Sequence, residues 1–378
     1  MAFWNKLFGK EEKENSDKTE KQESKYQLPW IDADENPWKV QLLDLRPITQ
    51  RMLSTSENPK MAENAVSYGQ EDGLVFLEQE LKSDNSFETN FSFPIDDSLE
   101  RGVLFIPSKM EQKWAVYYHA NKILFIRSWL REVHVVAETV QENKQLIITK
   151  IHGEFTEDES QEFTESTLKF LIHSHVLGEI VPAPLPQDLK ETTDAAGLWS
   201  FSTYGNMAHF GHFESDINYE NQRVLRSHSL LHIAIARGEL EKIKEELENG
   251  ANINALAGDG LSTLQWALTA DIEILEFLLQ AGVNPDTESA EGATPLMNAV
   301  QSDKMEHLQL LVAHGADVNK QDQRGFTALH RAAEMGLIEM VKELLKQGAD
   351  KTIEAEGHTA ASLAEMGENP EMILEVLE

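Results

Sequence analysis

The hydrophobic pattern of this chain changes period partway along it. From Phe87 to Ile151 apolar residues alternate or gather in short runs, as strands require; from Ser229 onward they return every three or four residues, as helices require. Gly102-Val-Leu-Phe-Ile106 predicts a short buried strand. Trp114 to His119 and Lys122 to Arg127 flank Ala120-Asn121, and because Asn accepts positive φ a two-residue hairpin is expected there. That turn pairs Tyr118 with Ile123, Val116 with Phe125 and Trp114 with Arg127 on one face, where Trp114 and Arg127 can form a cation–π contact. A second hairpin is expected from Val133 to Val140 and Leu146 to Ile151, turning near Glu142-Asn143. Residues 60–81 read as loosely helical. Asp158 to Leu177 reads as a helix that turns Phe163, Leu168, Leu171, Ile172 and Leu177 toward the sheet, and Pro182-Ala-Pro-Leu-Pro186 breaks it. Residues 26–213 are therefore expected to form an α+β domain, an antiparallel meander with helices packed on it.

The N-terminus follows neither rule. Phe3, Trp4, Leu7 and Phe8 lie on one face of a short helical pattern that can rest at a membrane surface. The same face also suits docking on the protein's own body. Ten residues bury little area, so contact with anionic lipid would be weak, reversible and salt-sensitive. Residues 11–25 carry six acids, four lysines and no large apolar side chain, and read as a solvated tether. A linker is expected at 214–227, between the first domain and the helical part.

The helical part repeats itself. Ser229-Leu-Leu-His-Ile-Ala234, Ser262-Thr-Leu-Gln-Trp-Ala267, Thr294-Pro-Leu-Met-Asn-Ala299, Thr327-Ala-Leu-His-Arg-Ala332 and Thr359-Ala-Ala-Ser-Leu-Ala364 start 33, 32, 33 and 32 residues apart. A second ladder runs in phase: Gly250-Ala-Asn, Gly282-Val-Asn, Gly315-Ala-Asp and Gly348-Ala-Asp. Residues 228–378 thus resemble the ankyrin-repeat family, whose signature is Thr-Pro-Leu-His-x-Ala at a 33-residue period. The resemblance implies an all-α solenoid of five repeats. In each repeat Ser or Thr caps a first helix, a second helix ends at the ladder glycine, and a polar β-turn finger leads onward. Repeat two is one residue short near Ala270-Asp271, and it carries Gln265 where histidine is usual; repeat three carries Met297 there. His232 and His330 occupy that position and are expected to brace backbone. Pro37-Trp38, Leu43 to Pro47, Gly102 to Pro107 and Arg127 to Leu130 resemble an uncharacterised region found before ankyrin repeats in bacterial proteins, which implies no activity.

Composition narrows the chemistry. In 378 residues, hydrophobic side chains make up 41% and charged ones 26%, ordinary for a globular protein. The outlier is a net charge of −32, with 33 Lys+Arg against 65 Asp+Glu. It is spread along the chain: 23 basic against 38 acidic residues up to position 226, and 10 against 27 after it. So acidic a surface repels phosphate backbones, so no nucleic-acid partner is expected. The absence of cysteine excludes disulfides, thiolate catalysis and Cys-ligated zinc. No apolar run approaches the ~20 residues that span a bilayer and no secretory signal is present, so a cytoplasmic location is expected, peripheral at the inner membrane face if the tip binds lipid. No phosphate loop, nucleophile elbow or His-Glu-x-x-His run appears. His173 and His175 point apart on a helix, and His209 and His212 lack a third ligand, so neither a metal nor a cofactor is expected.

The resemblance implies recognition of a protein across the finger tips and first-helix ends. It picks out Asp259, Leu261, Thr269, Ala290, Glu291, Gln301, Gln323, Arg324, Phe326, Glu334, Met335, Glu356 and His358, with Leu261 and Phe326 as apolar anchors. This face is net acidic, and a partner with a basic patch complements it. The leading expectation is a non-enzymatic adaptor. A second is an inhibitor or immunity-type protein that sequesters a basic toxin or effector. A third is an enzyme in residues 26–213 whose repeats select the substrate.

Overall fold

The computed structural model describes residues 27–378 except 57, 215, 216, 218 and 220–222. Strands β1 (Trp30–Ile31) and β2 (Leu42–Asp44) open the chain, followed by helices α1 (Arg46–Thr49) and α2 (Pro59–Val66). A long antiparallel run comes next: β3 (Ser86–Pro94), β4 (Gly102–Phe105), β5 (Trp114–His119), β6 (Lys122–Arg127), β7 (Glu132–Glu142) and β8 (Gln145–Gly153). Helix α3 (Gln161–Leu171), β9 (Ala183–Pro184), α4 (Thr193–Tyr204), β10 (Phe210–His212) and β11 (His228–Ser229) complete the α+β part. Seven strands form one antiparallel sheet in the order β11-β4-β5-β6-β7-β8-β3, and a smaller sheet runs β1-β2-β10-β9.

The central hairpin shows why these residues make strands. Ala120 and Asn121 both take positive φ, 49° and 58°, the backbone of the mirror-image turn whose twist matches paired strands. Trp114 then faces Arg127, Val116 faces Phe125 and Tyr118 faces Ile123, as expected. The Arg127 guanidinium sits 5.0 Å from the Trp114 ring. Alternation sorts β5 between two cores. Trp114, Val116 and Tyr118 pack with α3 and α4, whereas Ala115 and Tyr117 pack with Tyr68 and Phe76. The sheet is thus covered on both faces.

Several expectations shift by local chemistry. The second hairpin turns at Asn143-Lys144, both at positive φ, one residue later than expected. The helix expected from 158 to 177 is regular only over Gln161–Leu171 and widens into a π-type turn over Ile172–Val176. There His173 Nδ1 meets Glu179 at 2.6 Å and His175 Nδ1 meets the Ser174 hydroxyl at 2.8 Å, so neither ring is turned to the other for shared ligation. Phe163 is only half-buried and meets Trp199 edge-on rather than the sheet. The proline run is more than a breaker: β9 within it pairs parallel with β10. The stretch read as a linker is also packed. Tyr219 and Leu225 join the main core, Leu225 donates to the Pro94 carbonyl at 2.7 Å, and Arg226 holds Asp96 through two hydrogen bonds of 2.6 and 3.1 Å.

Residues 230–377 form five helix pairs: α5 (Leu230–Ala236) with α6 (Leu240–Glu248), α7 (Thr263–Ala267) with α8 (Ile272–Gln280), α9 (Pro295–Gln301) with α10 (Met305–Ala313), α11 (Ala328–Glu334) with α12 (Ile338–Lys346), and α13 (Ala360–Ala364) with α14 (Pro370–Leu377). Successive pairs bury one continuous seam that runs from Leu231 to Leu377. The four ladder glycines stand just past the first four second helices at φ of 86–92°, the left-handed backbone that stops a helix without a Cβ penalty. Helix α7 is five residues long, two shorter than α5, α9 and α11, in keeping with the short second repeat.

The first pair is welded to the α+β part. Ser229 ends the large sheet, opposite Gly102, and its hydroxyl also caps α5 by accepting the His232 N–H at 3.3 Å. Arg101, one residue before β4, reaches Glu246 on α6 at 2.7 Å, where the carboxylate side chain is only 6% exposed. Ile233 of α5 packs against the second sheet core.

Candidate functional site

The turns between helix pairs project as fingers whose backbones close on themselves. Ala257 N–H donates to the Leu261 carbonyl at 2.9 Å, Ser289 to Ala293 at 2.8 Å, and Asp322 to Phe326 at 2.9 Å. Short carboxylates stiffen two tips: Asp259 Oδ1 accepts from Leu261 N at 3.0 Å, and Asp322 Oδ1 accepts from Arg324 N and Phe326 N at 2.9 Å each. Neighbouring tips are also tied to one another. Ala290 N donates to the Gly260 carbonyl at 2.8 Å, Gln323 Nε2 to the Ala290 carbonyl at 3.0 Å, and Arg324 grips Glu356 through two bonds of 2.8 Å. The result is a rigid row of four tips.

All thirteen residues expected to meet a partner fall on this row or on first-helix ends beside it. Asp259, Thr269, Ala290, Glu291, Gln301, Gln323, Arg324, Glu334 and Glu356 are exposed; Leu261, Phe326, Met335 and His358 are half-buried. They do not gather at one point. Asp259, Leu261, Ala290 and Glu291 do come together, on one wall of a cleft of about 440 Å³. Phe326 is a poorer anchor than expected, because the Arg324 guanidinium lies 4.9 Å over its ring and His330 meets it edge-on at 5.7 Å.

The cations of the face are already neutralised. Arg324 pairs with Glu356, Arg331 with Asp322 at 2.9 Å and Lys320 with Glu288 at 2.8 Å. The Arg324 hydrogen bond holds the Glu356 carboxyl below its usual range. Asp259, Glu291 and Glu334 have no ion pair among the described residues, so the face stays net acidic. Beneath it, burial pulls His330 below its normal pKa, opposed by its Nε2 contact with the His358 carbonyl at 3.2 Å. A neutral ring is what the brace requires.

Sequence reasoning missed three contributors. Arg331, which also donates to Gln301 at 3.2 Å, sits mid-face directly after the motif histidine, a position that periodicity could have flagged. Gln265 holds Ser262 N at 2.8 Å and reaches the Ala293 carbonyl at 3.1 Å, so it spans repeats as His330 does, whereas the Nε2 of His232, at the same motif position, has no hydrogen-bond partner among the described residues. The opposite wall of the cleft comes from Val176, Leu177, Arg223 and Val224 of the α+β part, and no local signal marks those residues.

The α+β part holds its most perturbed groups inside packed cores. Lys113 donates to Ser54 Oγ at 2.6 Å and to the Met110 carbonyl at 3.1 Å, with its ammonium 4.4 Å from the Trp129 ring and 5.1 Å from Phe201. Burial, then repulsion from Arg127, pulls it down to about 7. Burial likewise brings His134 and His212 to about 4 and His175 to about 3. Among the described residues no three His, Asp or Glu side chains are grouped as a metal site would need. Phe3, Trp4, Leu7 and Phe8, the expected membrane contact, lie outside the described residues. No helix among those described is long and apolar enough to cross a membrane.

Comparison with known families matches residues 270–355 to ankyrin repeats, in three copies. That stretch begins just after the second first-helix and ends within the fourth finger, so it covers the middle of the seam with the second and third fingers.

Proposed function

We propose that the protein is a non-enzymatic adaptor that recognises a partner protein bearing a basic patch on its acidic finger face. Ankyrin repeats typically mediate protein–protein binding. The observation that carries the finer reading is the row of hydrogen-bonded tips, pre-set in position, with Asp259, Glu291 and Glu334 left without cations. A pre-ordered face loses little conformational freedom on binding, and uncompensated acids steer a basic partner toward it. Lys113, His175 and His212 are buried in packed cores and none of them lines the clefts at residues 176–291 and 96–256, which lie where the two parts meet. This separation supports binding over catalysis.

The test uses the immobilised full-length chain. It should retain a protein from lysate of its source cells, and retention should fall with added salt. Added positive charge far from the domain junction, in Gln301→Lys with Glu334→Lys, should lower that retention severalfold. Retention indifferent to both salt and these substitutions would overturn the reading.

A further inference from the structure

We infer that the cleft between the α+β part and the first two fingers is a composite docking site for an extended peptide segment in which Lys or Arg is flanked by apolar side chains. This rests on the adaptor reading and extends it, because half of the site lies outside the repeats. The cleft measures about 440 Å³, within the roughly 300–1,000 Å³ common for binding sites. One wall is built by the fingers, with Asp259 and Glu291 exposed and without ion pairs among the described residues. The other is built by Leu177, Arg223 and Val224, which are about 35–110 positions away in sequence from that wall's residues.

The two walls cannot drift apart freely. β11 joins the last strand of the sheet to the first repeat without a residue between them, since Ser229 belongs to both. Arg226 is held by Asp96 on the sheet side, and a Cβ on Gly258 would lie 2.9 Å from the His228 ring, so the first finger is seated directly against the junction. His228 in turn meets the Trp266 ring at 5.3 Å. A ligand therefore meets a pre-formed slot and pays nothing to close it.

The chemistry of the slot selects its occupant. Its apolar content, Leu177, Val224, Leu261 and Ala290, suits aliphatic side chains. Asp259 is fixed through Oδ1 by Leu261 N and Trp266 Nε1 at 3.2 Å, which aims its charge without cancelling it. Arg223 is the exposed cation of the opposite wall, already engaged by Glu179 at 3.3 Å and the Leu177 carbonyl at 3.0 Å. Asp259 and Glu291 are unmatched, whereas both cations that line the cleft, Arg223 and Arg226, are already paired with Glu179 and Asp96, which leaves the slot attractive to a basic segment.

A fluorescein-labelled heptapeptide Gly-Leu-Lys-Val-Lys-Leu-Gly, titrated against the full-length protein by anisotropy at low salt, tests this. It should bind about tenfold tighter than the counterpart with Glu for Lys. Glu291→Lys and Val224→Lys should each weaken it about tenfold, whereas Glu339→Lys, an exposed change on α12, should leave it unchanged within about twofold. Arg223→Glu should tighten it about threefold, a direction that misfolding cannot produce. If Glu291→Lys weakens binding while both α+β substitutions are silent, the composite site is overturned and recognition by the fingers stands. If the lysine peptide binds no tighter than its glutamate counterpart, the basic-segment assignment is overturned whatever the salt-sensitive partner proves to be.

Discussion

One side-chain position shows how far chemistry can vary while its mechanical task is kept. His330 meets Thr327 Oγ1 at 2.9 Å with one ring nitrogen and the His358 carbonyl with the other, 28 residues on. Gln265 has the same reach, taking Ser262 N on its carbonyl oxygen and giving its amide protons to Ala293 and Asn298. Met297 offers only sulfur, 3.5 Å from Thr294 N, and bridges nothing beyond its own turn. Gln265→Ala should therefore strand buried backbone groups and cost about 1–3 kcal/mol, while Gln265→His should lose less. Urea unfolding midpoints at constant slope measure both, and an alanine variant as stable as the parent would refute the bridging role. The motif position was legible in sequence because its period is regular. That glutamine performs the task was not, since this depends on where the next finger's carbonyl lies.

Among elements, β11 decides how the two halves of the chain relate. It is two residues long and pairs with β4 through His228–Val103 and Ser229–Gly102. Gly102 sits at φ +154°, and a Cβ there would stand 2.3 Å from the His228 carbonyl oxygen. Gly102→Ala should push β11 off the sheet edge and cost on the order of 1–3 kcal/mol. Hydrogen exchange should then show faster opening at 228–236, with β6 to β8 little changed; uniform exchange would contradict the pinning. The hairpin of β5 and β6 was readable to the residue, because a two-residue turn sets the register of both strands. The β4–β11 pairing was not: β4 was readable as a strand, but its partner lies over a hundred residues away and, at two residues, is too short to show a pattern.

At the scale of the whole molecule, buried neutral histidines tie stability to pH. His134, His175 and His212 each keep a ring nitrogen buried without a hydrogen-bond partner, and burial brings their pKa from 6.5 to about 4, 3 and 4. In the first repeat His232 is likewise drawn to about 4. Between those values and 6.5 the unfolded chain binds protons that the folded one refuses. Their contribution is complete above pH 6.5 and is lost as pH falls toward 4, at up to about 1.4 kcal/mol per pH unit for each group. Lys113, at about 7 against 10.5, adds a penalty below pH 7 that is relieved as pH rises above it. Urea midpoints measured in 0.5 M salt, which mutes the repulsion of a chain at −32, should drop from pH 7.5 to pH 5.5. A midpoint that held or rose would show that these rings are protonated in the folded state.

Regular local spacing determined the repeats, the capped first helices, the glycine stops and the central hairpin, because each depends on residues within one turn or one hairpin of each other. Tertiary structure alone decided that the supposed linker is packed, that Ser229 serves both sheet and helix, and that Leu177 and Val224 face Asp259 and Glu291 across one slot. Those relations join segments that are distant along the chain, and their geometry is set by how two cores pack rather than by any short-range preference.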